Sequence, residues 1–148
     1  MKLNDEGYKL IQYFEGFKLS AYRDSIGIPT IGYGDITYAD GKKVKMGDKI
    51  SKEQADGLFK LYADKFAYEV SQLLHSEVNQ HQFNALVSFA YNVGITNFKN
   101  STLLKKINEN PNDESIEFEF LKWVNAGGKR IQGLVNRRVL ESKMYFKK

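Results

Sequence analysis

Residues 13–34 read YFEGFKLSAYRDSIGIPTIGYG, and the periodicity of the chain changes twice inside this stretch. Just upstream, Leu10, Ile11 and Phe14 recur at helical spacing behind Asn4 or Asp5 as N-cap, which predicts a helix over 5–14. Gly16 supplies its stop, because glycine adopts the left-handed backbone that closes a helix without a Cβ penalty. From Phe17 to Tyr22 the pattern alternates with period two and predicts a strand. Asp24-Ser25-Ile26-Gly27 is turn chemistry, and residues 29–34 predict the returning strand, whose glycines allow close backbone approach.

Working outward, Asp40-Gly41 between Ile36-Thr37-Tyr38 and Val44 signals a further hairpin. After Gly47 the pattern becomes helical. Ser51 with Gln54 three residues on has capping-box spacing, and Ala55, Leu58, Phe59, Tyr62, Phe66, Val70, Leu73 and Leu74 keep one stripe. Asn79 with Gln82 is a second possible cap, ahead of Phe83, Leu86, Val87 and Ala90. Shorter helices are expected near 101–108, 113–125 and 135–146, separated by Pro111 and Gly127-Gly128. The expected fold class is α+β, mainly α. A β-rich lobe over about 15–50 is joined by a long helix over about 51–75 to a helical lobe over about 76–148 that also holds helix 5–14. Residues 1–148 are read as a single domain, which is an ordinary domain length.

Composition narrows the function. The chain has no cysteine, so disulfides and thiolate metal sites are excluded. His75 and His81 alone do not make a typical zinc site and read as surface or helix-terminal imidazoles, so neither a metal nor another cofactor is expected. The net charge of +4 and pI near 9.1 suit an anionic partner. The densest basic run, Lys42-Lys43-Val44-Lys45, is short and reads as a solvated hairpin. No stretch approaches the ~20 apolar residues that span a bilayer, and Met1–Glu6 lacks the apolar stretch of a secretory signal. Synthesis in the cytoplasm without stable membrane insertion is therefore expected, with any export by another route.

Two carboxylates and a hydroxyl lie close together in the opening stretch. Glu15 ends the first helix, Asp24 sits in the turn and Thr30 starts the returning strand. Glycosidic hydrolysis needs a protonated acid at the leaving oxygen and a second group to manage the sugar carbon or its attacking water. A carboxylate at a helix C-terminus faces the negative end of the macrodipole, which favours its protonated form. The same effect predicts that Glu15→Gln holds or raises thermal stability. On spacing alone, exposed structural acids explain these residues as well.

Phe14-Glu15-Gly16, Ala21-Tyr22-Arg23-Asp24 and Thr30-Ile31-Gly32-Tyr33-Gly34 resemble the N-terminal motif of phage-type lysozymes, the endolysin family of glycoside hydrolases. In that family a Glu, then an Asp or Cys after eight residues, then a Thr after five more, form the catalytic set, and Glu15, Asp24 and Thr30 fall at those spacings. The likeness continues through Phe89–Gly94, Phe98, Ser101–Leu104, Trp123, Ala126–Lys129 and Gly133–Arg138 to Glu141. The resemblance implies a lysozyme-like fold and cleavage of the β-1,4 bond between N-acetylmuramic acid and N-acetylglucosamine in peptidoglycan, with inversion. Glu15 would donate the proton, Asp24 would orient or activate water, and Thr30 would help hold it. Arg138, with Arg137 as the alternative, would lie beside Glu15. Tyr33, Ile36, Tyr91, Asn92 and Ser101 are substrate-binding candidates. Phe98 could contact sugar or lie in the core, and Trp123 reads as core. Many members carry His where this chain has Asp35, which brings a third acid near the site.

The resemblance further implies a monomer that waits in the host cytoplasm until lysis and then attacks the wall. A lytic transglycosylase is the alternative enzyme, disfavoured by Asp24 and Thr30, whose role is to manage water. A non-catalytic glycan-binding module would not need Glu15. A nucleic-acid binder rests on charge alone and lacks a motif, so no nucleic-acid partner is expected.

Overall fold

A computed structural model describes residues 1–148. Helix α1 (Asp5–Glu15) starts at Asn4, whose side chain accepts from the Gly7 N–H, and ends at Gly16 with φ 61°. Strands β1 (Lys18–Arg23) and β2 (Pro29–Gly32) form an antiparallel pair with Tyr22 opposite Thr30 and a register irregularity between Lys18 and Tyr22. The alternation of 17–22 does not become alternating burial. Residues 18–20 are exposed, and only Ala21 and Tyr22 are half-buried, because the sheet has two strands and little beneath it. The expected 36–44 hairpin is held by one bridge, Thr37 with Lys43, and by the Val44 N–H donating to Ile36 at 2.9 Å.

Helix α2 (Lys52–Leu73) begins with the full Ser51/Gln54 capping box and, at 22 residues, runs about 33 Å from the β-rich lobe into the helical one. Helix α3 (Gln80–Val93), with its own Asn79/Gln82 capping box, is buried on every side from Gln82 to Ala90. It is the central post of the fold and packs against α1, α2 and the last helix. A helix apolar over most of its surface is stable only when surrounded in this way. Helix α4 (Ile95–Lys99), α5 (Thr102–Glu109), α6 (Ile116–Leu121) and α7 (Gln132–Tyr145) complete the order, with a small hairpin of β3 (Asn125–Ala126) and β4 (Lys129–Arg130) before α7. One apolar cluster of 21 buried residues includes Ile11, Phe59, Phe83, Phe89, Phe98, Ile107, Phe120 and Tyr145. Trp123 packs edge-on against Phe89 at 5.6 Å, as expected of a core residue.

Three differences from the sequence reading have local causes. Helix α6 covers only part of 113–125, because Asp113 folds its carboxylate onto the Ser115 N–H and residues 125–126 are drawn into a hairpin. That hairpin replaces a simple break, since Gly127 and Gly128 both take positive φ and turn the chain back on itself. The short α4 lies between two expected helices, where a single turn offers no repeat to detect. No helix is long and apolar enough to cross a membrane.

Candidate active site

The end of α1 delivers Glu15 to the boundary between the hairpin lobe and α7. Its side chain is 23% exposed, and Oε1 accepts a hydrogen bond of 2.9 Å from Arg137 Nη1. Gly34, at φ 90°, lets the backbone after β2 pass close by, for a Cβ there would stand 4.0 Å from Glu15 Oε2. In the β1–β2 turn, Asp24 Oδ1 accepts from the N–H groups of Ile26 and Ile28 at 3.0 and 2.9 Å. Thr30, buried opposite Tyr22, donates its hydroxyl to the Ile28 carbonyl at 2.8 Å. Burial pushes the Tyr22 hydroxyl up, and the charges of Asp24, Asp35 and Glu15 push it further. The charges of all three carboxylates are thus felt at one phenol.

Asp35 is the most unusual of them. It is 6% exposed, pairs its backbone with Ile31 in both directions and accepts one weak bond, 3.3 Å, from the Tyr33 N–H. Burial raises its carboxyl to about 6, the Tyr33 N–H opposes this, and the Glu15 charge adds to it. One poor hydrogen bond does not replace the water that a carboxylate loses on burial.

Behind Glu15 stands an ion network. Arg137 Nε donates to Glu141 Oε2 at 3.1 Å, its Nη2 donates to the Ser88 carbonyl at 3.0 Å, and the guanidinium lies 5.0 Å over the Phe14 ring. Ser88 Oγ donates to Glu141 Oε2 at 2.6 Å. Arg138 turns the other way, bonding Glu141 Oε1, Asn92 Oδ1 and the Trp123 carbonyl, and stacking over Phe89.

A family model described as phage lysozyme matches residues 12–141. The chain belongs to the phage lysozyme family. It is 41% identical to an endolysin of Bacillus phage B103 over 99% of this chain, and it spans about half (54%) of that relative's length. It superposes on an endolysin from Escherichia coli O157:H7 phage FAHEc1 with a TM-score of 0.90 and 41% identity, covering 99% of this chain and 94% of that one. It superposes on a mutant of P22 lysozyme with a TM-score of 0.88 and 33% identity, covering 99% of each.

Several expectations carried by the family resemblance meet a different geometry. The charge beside Glu15 is Arg137, not Arg138. Adjacent helical residues point about 100° apart, and only Arg137 faces the end of α1. That contact also changes the stability expectation for Glu15→Gln, since the guanidinium offsets the unfavourable helix end and the amide would lose a charged partner. Among the substrate-binding candidates, Tyr33 is buried with its hydroxyl donating to Asp56 at 2.7 Å and accepting from Lys52 at 2.8 Å. Ser101 caps α5 and spends its hydroxyl on the Phe98 carbonyl, and Phe98 itself is fully buried. Asn92 is exposed, but its carbonyl oxygen is held by Arg138.

The remaining two candidates are Ile36 and Tyr91. Ile36 is 47% exposed just after Asp35. Tyr91 is half-buried against Phe59 and Phe66, and its hydroxyl is pushed up by burial and by the charges of Asp35 and Glu15. Sequence reasoning misses Tyr22, which the hairpin register brings to the site, and Glu141, whose spacing of four residues from Arg137 on α7 is the signal that could have found it.

Proposed function

We propose that this chain is a muramidase that hydrolyses the β-1,4 bond between N-acetylmuramic acid and N-acetylglucosamine in bacterial peptidoglycan, with inversion at the sugar carbon. The observation that carries the reading is the pairing of Glu15 with Arg137 at the edge of a carboxylate group that includes Asp24. Glu15 protonates the leaving oxygen. Asp24 has Oδ1 occupied by two backbone N–H groups, which leaves Oδ2 to accept from water. Thr30 has already donated its proton to Ile28, so its oxygen can only accept. Two acceptors hold both protons of one water and leave a lone pair for the anomeric carbon, an arrangement that suits inversion rather than a covalent sugar ester. The chain acts as a monomer, and its cellular route is accumulation in the host cytoplasm until lysis admits it to the wall.

The test is turbidity loss of permeabilised Gram-negative cells with wild type beside Glu15→Gln. General acid catalysis typically supplies 10²–10⁴-fold, so the variant is expected to fall by ~10²-fold or more while its circular dichroism stays native. Lysis by a folded Glu15→Gln at near wild-type rate overturns the reading.

A further inference from the structure

The buried side of Glu15 contains a charge balance that the reaction does not explain. Glu141 is completely buried on α7 and touches both guanidinium groups, Arg137 through Oε2 and Arg138 through Oε1, while Ser88 from α3 donates to it as well. Arg137 and Arg138 are themselves 4% and 1% exposed. Two adjacent cations in a dry site are costly unless an anion divides its two oxygens between them. With Glu15 ionised, the four groups sum to zero. With Glu15 protonated, as a proton donor must be, the cluster carries one positive charge, and that charge is spread over two guanidiniums around one carboxylate.

We propose that Glu141 is a positioning residue for Glu15: it holds Arg137 against the Glu15 carboxyl and cancels the charge of Arg138, and so sets the upper pH limit at which Glu15 still carries its proton. The inference rests on the reading of Glu15 as general acid. Geometry supports it independently, because Arg137 is anchored at three points, Glu141, the Ser88 carbonyl and Phe14, and presents its remaining Nη1 to Glu15. Removal of Glu141 leaves Arg137 beside the Glu15 carboxyl and Arg138 behind it without a compensating anion, which favours the deprotonated acid. Removal of the Arg138 charge leaves Arg137 fully engaged by Glu141, which favours the protonated one. The two changes therefore act in opposite directions. The other titratable groups facing Glu15 are Tyr22 from β1, Asp35 after β2 and Tyr91 from α3, with Asp24 across the hairpin. They are common to every variant, so none can produce shifts of opposite sign.

The experiment is the pH–rate profile of wall lysis for wild type, Glu141→Gln, Arg138→Met, the double variant and Arg138→Lys, each checked for native circular dichroism. A neighbouring charge moves a carboxyl by about 1–3 pH units at close range. The alkaline limb is expected to fall by about one pH unit in Glu141→Gln and to rise in Arg138→Met. It should return to near the wild-type position in the double variant and stay in place in Arg138→Lys, which keeps the charge but not the bonds. A purely structural network would lower rates in all four variants without moving the limb. If Glu141→Gln does not fold, Arg138→Met against Arg138→Lys reads the same balance. Unmoved limbs, or limbs moving the same way, overturn the inference while an active wild type and an inactive Glu15→Gln leave the muramidase reading standing. A Glu15→Gln that still lyses removes both.

Discussion

Replacement of Asp35 by Asn should stabilise this protein above neutral pH and leave it unchanged in acid. In the folded chain the Asp35 carboxyl titrates near 6 instead of the ordinary 3.8, mainly because burial disfavours its charge. Below 3.8 both folded and unfolded chains are protonated at this position and nothing is lost. Between 3.8 and about 6 the native state keeps a proton that the unfolded chain has released, so stability falls as pH rises. Above about 6 both states are ionised and the full cost stands. Each pH unit of difference is worth about 1.4 kcal/mol, so the cost is about 3 kcal/mol. Asparagine keeps the shape and can accept the Tyr33 N–H through its amide oxygen, but has no charge to desolvate. For a chain of this size each kcal/mol moves Tm by about 2–4 °C, which gives a rise of roughly 6–12 °C in Asp35→Asn at pH 7.5. Thermal melts of both proteins at pH 3.5 and pH 7.5 measure it. An equal gap at the two pH values, or a less stable variant at pH 7.5, would refute the desolvation argument.

Other expectations concern the water site and the core. Asp24→Cys should keep appreciable lytic activity and Asp24→Ala with Thr30→Ala should lose most of it. Proton NMR of fresh product from the β-linked substrate should show the α anomer first, and a β product or a sugar ester on Asp24 would replace the water mechanism. Gly7→Ala should destabilise the protein although alanine is the better helix former by ~1 kcal/mol. Its Cβ would stand 2.6 Å from Asn84 Oδ1 and 2.7 Å from Leu3, displacing the Asn84 amide that bonds Asn4 at the start of α1. Overpacking of this kind costs about 1–3 kcal/mol, so an unchanged or higher Tm would count against it.

Much of the architecture was legible because it is written in local signals. The Ser51 and Asn79 capping boxes, the stop at Gly16 and the long apolar stripe from Ala55 to Leu74 depend on neighbours within a turn or two, and each appears where the sequence places it. The spacing of Glu15, Asp24 and Thr30 was equally readable, since one helix end and one hairpin carry all three. What the tertiary structure decided is how the rest meets them. Arg137 and Arg138 are indistinguishable as neighbours in a sequence, and the choice of partner follows from which face of α7 packs on α3 and which meets α1. Ser101 and Tyr33 look like ligands until their hydroxyls are found engaged by Phe98, Asp56 and Lys52. Glu141 sits three and four residues after Arg138 and Arg137 on the same helix, a local spacing, but its complete burial and its hydrogen bond from Ser88 follow only from the packing of α7 on α3. Hydrogen bonds and burial of this kind are long-range consequences of packing, and no periodicity along the chain records them.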